Sequence, residues 1–143
     1  MKVIYYSYYG CYFSPICAYI HLNDKHKIEK EEFFKIPYLL EIDYGEIRFM
    51  GADDNQNEVF VIGMKGFSEN IKRTLYGLME IFKIEDDVIF IDTSHYDLKF
   101  FKLLMTLRKN PSLRKIVDNF LYSYYLLRYN DVRGFVERYK KIL

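Results

Sequence analysis

The chain opens on an almost unbroken apolar stretch, Lys2-Val3-Ile4-Tyr5-Tyr6-Ser7-Tyr8-Tyr9. Its β-branched and aromatic residues predict a strand over 2–9, apolar on both faces as a central strand must be. Gly10 breaks the stretch, and Ser14-Pro15 then reads as a helix start, with Ser14 as N-cap and Pro15 at the first helical position. The helix runs over 14–22 and ends near Asn23, a residue that tolerates a left-handed C-cap. Residues 24–30 are mostly charged and read as exposed, and 29–36 form one or two helical turns stopped by Pro37.

Alternation is clearest in the middle of the chain. Strands over 46–51 and 58–63 flank Ala52-Asp53-Asp54-Asn55-Gln56-Asn57, a run of turn formers, and together they predict a hairpin. Ser68 caps a helix over 69–82, where Ile71, Leu75, Leu78, Met79 and Phe82 share one face. Val88-Ile89-Phe90-Ile91-Asp92 reads as a short, buried central strand lying beside and parallel to the first through a right-handed crossover. Residues 98–108 form an amphipathic helix, Asn110-Pro111 restarts the chain with a cap and a proline, and helices follow to about Leu127 and from about Asn130 to the end. The order predicts an α/β fold: a small Rossmann-like or P-loop-like sheet with parallel central strands, a β-hairpin and a C-terminal helical segment. Without repeats or linker-like tracts, residues 1–143 read as one domain, with 98–143 packed on the body.

Composition narrows the classes. Half of the 143 residues are apolar and 29% are charged, a globular balance rather than a disordered one. The 15 Tyr and 12 Phe mostly fill and rim a core. No apolar run reaches the length of a membrane span, and the chain begins on a strand rather than a cleavable leader, so a cytoplasmic protein without membrane contact is expected. Cys11 and Cys17, six positions apart, read as reduced thiols. Residues 1–97 hold 10 Lys/Arg against 17 Asp/Glu, and residues 98–143 hold 11 against 3. That asymmetry fits a basic helical tail docked on an acidic body, or a basic surface for an acidic partner.

The loop after the first strand carries the main chemical expectation. A strand that delivers its C-terminal end to a helix N-terminus collects free backbone amides, which suit an anion. The specific phosphate motifs are missing: no lysine follows Gly10, and Cys11 has no arginine nearby. Cys11 near a helix start could be a reactive thiol, or an inert packing group. Cys17 and His21 share a helix face, but two ligands do not complete a metal site, so no metal is expected and no cofactor is assigned.

Separated segments carry a resemblance. Val3-Ile4-Tyr5-Tyr6, Tyr8, Gly10, Ala18-Tyr19-Ile20-His21-Leu22, Ile36-Pro37-Tyr38, Gly45 to Gly51, Asn57 to Gly63, Gly77 to Phe82 and Asp92-Thr93-Ser94 occur in order. On these the chain resembles the bacterial domain-of-unknown-function family 3189, along most of its length. The resemblance implies no activity. Relatives read Cys-Tyr-Gly-Gly, one variable residue, then His-Ser-Ser, where this chain has Ser7-Tyr8-Tyr9-Gly10-Cys11-Tyr12-Phe13-Ser14. Ser7, Tyr12 and Phe13 stand where relatives carry Cys, His and the first Ser, so a nucleophile or acid–base role is not carried over. The loop then reads as chemically degenerate or rededicated to binding.

Asp92-Thr93-Ser94-His95 follows the 88–92 strand and should open onto the same sheet edge. Asp92 could meet a ligand hydroxyl or a metal-bound water with His95 as proton carrier, or Asp92 and Thr93 could simply brace the turn. Arg48 is a candidate ligand clamp, an exposed strand arginine or a partner for Asp43. The C-terminal half interleaves bases and rings, but without a recognised motif nucleic acid is disfavoured. The expectation is therefore a binder of a small anionic or phosphorylated ligand at Gly10, Cys11 and Ser14, with Arg48, Asp92, Thr93 and His95 contributing and catalysis doubtful. The alternative is a non-catalytic interaction or regulatory protein using the basic, tyrosine-rich C-terminal helices. Apolar edges at the hairpin could be self-association surfaces or be covered by those helices.

Overall fold

The computed structural model describes residues 1–24 and 27–143. Of the stretch read as charged and exposed, positions 25 and 26 lie outside the described residues; Ile28, inside it, is fully buried. Its amide donates to the Tyr125 hydroxyl at 3.1 Å and its carbonyl accepts from the Tyr122 hydroxyl at 2.8 Å.

The elements run β1 (Lys2–Ser7), α1 (Phe13–Asn23), α2 (Lys30–Phe33), β2 (Arg48–Ala52), β3 (Glu58–Gly63), α3 (Ser68–Ile81), β4 (Val88–Asp92), a 3-10 turn (Ser94–Tyr96), α4 (Phe101–Arg108) and α5 (Pro111–Lys140). The sheet has four strands in the order β2-β3-β1-β4. β1 is parallel to β3 and to β4, and β2 is antiparallel to β3 with a bulge between Phe49 and Gly51. This is the mixed, mostly parallel α/β sheet with a hairpin that the pattern predicts. One correction follows from the order: β4 is an edge strand, and β1 and β3 are the central ones. The apolar run at 88–91 arises because its residues alternate between two cores, not because neighbours flank the strand on both sides.

Those cores divide by strand alternation. Val3, Tyr5, Val59, Val61 and Ile91 face α1, α4 and α5, while Ile4, Tyr6, Ile62 and Met64 form a smaller cluster with Phe60, Phe90 and Ile71 of α3. The chain therefore leaves β1 toward one face and β3 toward the other.

Asn110 caps α5 as predicted, its side chain accepting from the Ser112 amide at 3.1 Å with Pro111 in the first turn. The expected break near 127–130 is absent. Leu121, Tyr125, Val132, Phe135 and Val136 form one buried stripe, and nothing at 128–130 interrupts helical hydrogen bonding, so α5 is continuous. Three ion pairs join bases to acids within the tail: Arg108 of α4 with Asp118 at 2.7 Å, Arg128–Asp131 at 3.3 Å and Arg133–Glu137 at 2.6 Å. Lys140–Asp24 at 3.4 Å joins the tail to the body. Docking of the tail is thus an apolar event, with tyrosines turned inward. No helix among the described residues is long and apolar enough to cross a membrane.

A buried polar chain ties α1 to the hairpin. The Tyr5 hydroxyl lies 2.9 Å from His21 Nδ1, and His21 Nε2 lies 3.1 Å from Asp53 Oδ2. Because an ionised carboxylate only accepts, Nε2 carries the ring proton and Nδ1 accepts from Tyr5. Asp53 also receives the amides of Asn55 and Asn57 at 2.9 and 2.8 Å, closing the turn that its sequence predicts. Burial pushes His21 below its ordinary value, and Asp53 offsets part of that.

Candidate functional site

In open α/β sheets a ligand crevice forms where connections leave adjacent strands for opposite faces, which here is between β1 and β3. This chain fills that position with its own backbone. Gly10 has φ +67°, and a Cβ built on it would stand 2.2 Å from the Gly63 nitrogen. A Cβ on Gly63 would stand 2.3 Å from the Asp43 carbonyl oxygen and 2.7 Å from that of Tyr9. The Met64 and Lys65 amides donate to the carbonyls of Ser7 and Tyr8, both at 3.0 Å, and Gly45 donates to Gly63 at 2.8 Å.

Two amides of the expected anion cradle, those of Gly10 and Tyr12, already have acceptors, as does the Tyr8 amide just before it. Tyr8 N–H donates to Asp97 Oδ2 at 3.1 Å, Gly10 N–H to Ser7 Oγ at 3.0 Å and Tyr12 N–H to the Leu39 carbonyl at 2.7 Å. Tyr12 and Phe13 occupy the space above the start of α1. The Tyr12 ring stacks on Phe101 at 5.7 Å and its hydroxyl donates to the Leu121 carbonyl at 2.5 Å. Phe13 packs against Tyr96 and Tyr124 at 5.3 and 5.9 Å.

The helix start also differs from its reading. α1 begins at Phe13, with Tyr12 at the cap position (φ 61°) and no capping side chain, so Pro15 is its third residue. Ser14 is inside the helix and fully buried, 2.7 Å from Thr93 Oγ1. Thr93 spends its own proton on the Tyr6 carbonyl at 3.0 Å, so Ser14 donates to Thr93. The pair fastens α1 to the end of β4.

The remaining expected residues divide. Cys11 and Cys17 are buried free thiols; burial pushes both far up, Asp97 adds to this at Cys11, and Arg48 opposes it there. Both stay protonated packing groups. Arg48 is 5% exposed rather than an exposed strand residue, and it donates to the Glu41 carbonyl at 3.0 Å. It lies 3.5 Å from Asp43 and stacks on the Tyr38 ring at 5.0 Å, so it braces the 38–46 loop. Asp92 accepts the Ser94 amide at 2.8 Å and braces the turn. His95 is exposed, with its ring 4.0 Å from Tyr96 and 5.2 Å from Phe135.

What stays open is the β1/β4 side of the same edge. A cavity of about 450 Å³ is lined by Tyr8, Tyr9, Ser94, His95, Asp97, Leu98 and Lys99. Asp97 belongs to this group and no sequence signal singled it out. Burial pushes its carboxyl up to about 6, against the opposing bonds from the Tyr8 amide and the Ser7 side chain, with Asp92 adding a smaller upward push. Tyr8, 44% exposed, stands edge-on to Tyr9 at 4.9 Å and to Tyr44 at 6.2 Å. Lys65 and Lys102 lie over the Tyr44 ring at 4.3 and 5.9 Å.

A family model described as Protein of unknown function (DUF3189) matches residues 2–141, nearly the whole chain. The chain belongs to that family. Among curated proteins and among solved structures, nothing matches it. For this member of DUF3189, Ser7 is buried with its side chain bonded to Asp97, and Tyr12 and Phe13 are buried in the core.

Proposed function

We propose that this DUF3189 protein binds a small anionic ligand in the crevice above the C-terminal ends of β1 and β4. In this reading the ligand lies beside the Gly10–Ser14 loop, where the Gly10 and Tyr12 amides serve the chain itself. It rests against Tyr8 and meets the side chains of His95 and Lys99, with Lys65 and Lys102 adding positive potential around Tyr44 beside it. The observation that carries the reading is Asp97: a half-buried carboxyl with an elevated pKa, lining a cavity beside the carboxyl ends of β1 and β4. Protonated, it donates a hydrogen bond to an anionic oxygen; ionised, it repels one, so binding should strengthen as pH falls through 6.

Binding, rather than turnover, is as far as these residues lead. Thermal shift with inorganic phosphate, sugar phosphates and nucleotides tests the reading. At least one should raise Tm, more at pH 5.5 than at pH 8, and Lys99→Ala or His95→Ala should abolish the rise. No rise with any compound, or one that survives both substitutions, refutes it.

The rival reading, an interaction protein built on the tyrosine-rich tail, loses its rings to the interior of α5. An apolar surface on the opposite face of the sheet favours it instead.

A further inference from the structure

A sheet of four strands is roughly 19 Å wide at the usual spacing between strands, and a helix with its side chains covers about 10 Å of that. Two helices are needed to close each face. α1 and α5 pack on one face, whereas α3 is the helix that packs on the other.

α3 lies over the β1/β4 half of its face. Lys72 Nζ donates to the Tyr6 hydroxyl at 3.3 Å, and Tyr76 stands 5.6 Å from the Phe90 ring with its hydroxyl 3.4 Å from the Val88 carbonyl. Among the described residues the β2/β3 half has no such cover. Phe49 is 53% exposed and stacks on Phe60 at 5.4 Å, and Ile47 beside it is 43% exposed. Helical spacing places Leu78 and Ile81 on the flank of α3 away from Tyr76, toward this vacancy. Leu78 is 43% exposed, Ile81 73%, and Phe82 and Ile84 follow at 69% and 48%. Between this flank and the sheet runs an apolar cavity of about 260 Å³, floored by Ile4 and Phe60 and walled by Leu75 and Met79.

We infer that the vacant half of this face is filled by α3 of a second copy, in a twofold dimer whose two α3 helices lie antiparallel. The area argues for it. Ile47, Phe49, Leu78, Ile81, Phe82 and Ile84 together expose roughly 600 Å², taking about 200 Å² for a fully exposed large side chain. That is the top of the range for a monomer's largest patch and most of the roughly 800 Å² each partner gives a standard interface. The surface is also self-complementary, as a twofold requires. The vacancy needs a helix with an apolar flank, and α3 has one.

Gly77 sits at the middle of the helix, where glycine weakens it, and a Cβ there would meet nothing within 4 Å. A bare backbone at the centre lets two helix axes approach closely.

Sedimentation equilibrium on the full chain tests this. The expected mass is twice 17.4 kDa. Ile81→Asp and Phe82→Glu change side chains already exposed in one copy, so far-UV CD and folded content should hold while dissociation weakens affinity by roughly thirtyfold or more, as at an interface hot spot. Gly77→Trp, whose ring would stand in open space in a single copy, should do the same. Leu127→Asp, 77% exposed on α5, should leave the dimer intact. A wild-type chain that stays monomeric at all concentrations overturns the inference. So does a dimer that survives Ile81→Asp and Gly77→Trp, or one that Leu127→Asp dissolves.

Discussion

Replacing Asp97 with Asn should make the protein more stable at pH 8. In the folded state the carboxyl is held up at about 6, against about 3.9 for an unperturbed aspartate. Ionising it inside the fold therefore costs up to about 3 kcal/mol, at 1.36 kcal/mol for each pKa unit. The residue is only half-buried, so solvent screening reduces this, and the amide is a weaker acceptor for the Tyr8 N–H and the Ser7 hydroxyl; about 1 kcal/mol is a fair deduction for the lost charge-assisted bonding. The net gain for Asp97→Asn at pH 8 is on the order of 1–2 kcal/mol.

The sign reverses with acid. A raised carboxyl holds its proton more tightly in the native state than in the unfolded chain, so its contribution is fully present below about pH 4 and lost as pH rises through 6. Below pH 4 Asp97→Asn should therefore be neutral or slightly destabilising. Urea unfolding followed by far-UV CD at pH 8 and pH 4, on wild type and variant, measures the difference directly. An Asp97→Asn chain that is less stable than wild type by the same amount at both pH values would refute the reasoning. It would show that the carboxylate is a comfortable structural acceptor. Stabilisation at pH 8 together with weaker anion binding would be the mark of a group kept at a cost in stability for a task.

Three further outcomes are expected. Gly10→Ala should lose more than about 4 kcal/mol or fail to fold, since it combines positive φ with a Cβ 2.2 Å from the Gly63 backbone; soluble yield and a cooperative urea transition check it. Asp53→Ala strands the buried His21 Nε2–H and the Asn57 donors and should cost about 3–4 kcal/mol in urea unfolding. Its cost should shrink once pH falls into the carboxylate range, because Asp53 is held below its ordinary value and loses that contribution on protonation. Cys11 and Cys17 should resist a thiol reagent at pH 8 and react at once in denaturant, with absorbance of the released chromophore as the readout.

Much of the fold is legible in the residues. The strand at Val3–Tyr6, the hairpin around Asp53 and the Asn110-Pro111 cap each write local rules that the tertiary structure obeys. The errors have physical sources. β4 looks central because alternate residues feed two cores, and apolar side chains on both faces say nothing about hydrogen-bonded neighbours. Ser14 has the chemistry of a cap, but its bond to Thr93 and the hold of Phe101 and Leu121 on Tyr12 set the cap position two residues earlier, and those three partners lie far outside the local window. Asn130 is exposed on α5, and the apolar stripe that continues past it outweighs its weak helix preference. At the sheet edge, Asp92 and His95 were visible as titratable residues after a strand. Asp97 was not, because what distinguishes it is burial against Tyr8 and Ser7, nearly ninety positions away in the chain.

The bond from the Tyr12 hydroxyl to the Leu121 carbonyl carries a mechanical consequence. It fastens the N-terminal turn to the middle of the longest helix, so the turn cannot swing outward unless α5 is released with it. Motion at one end of the sequence is thereby geared to motion near the other, and stiffness measured at either place should report on both.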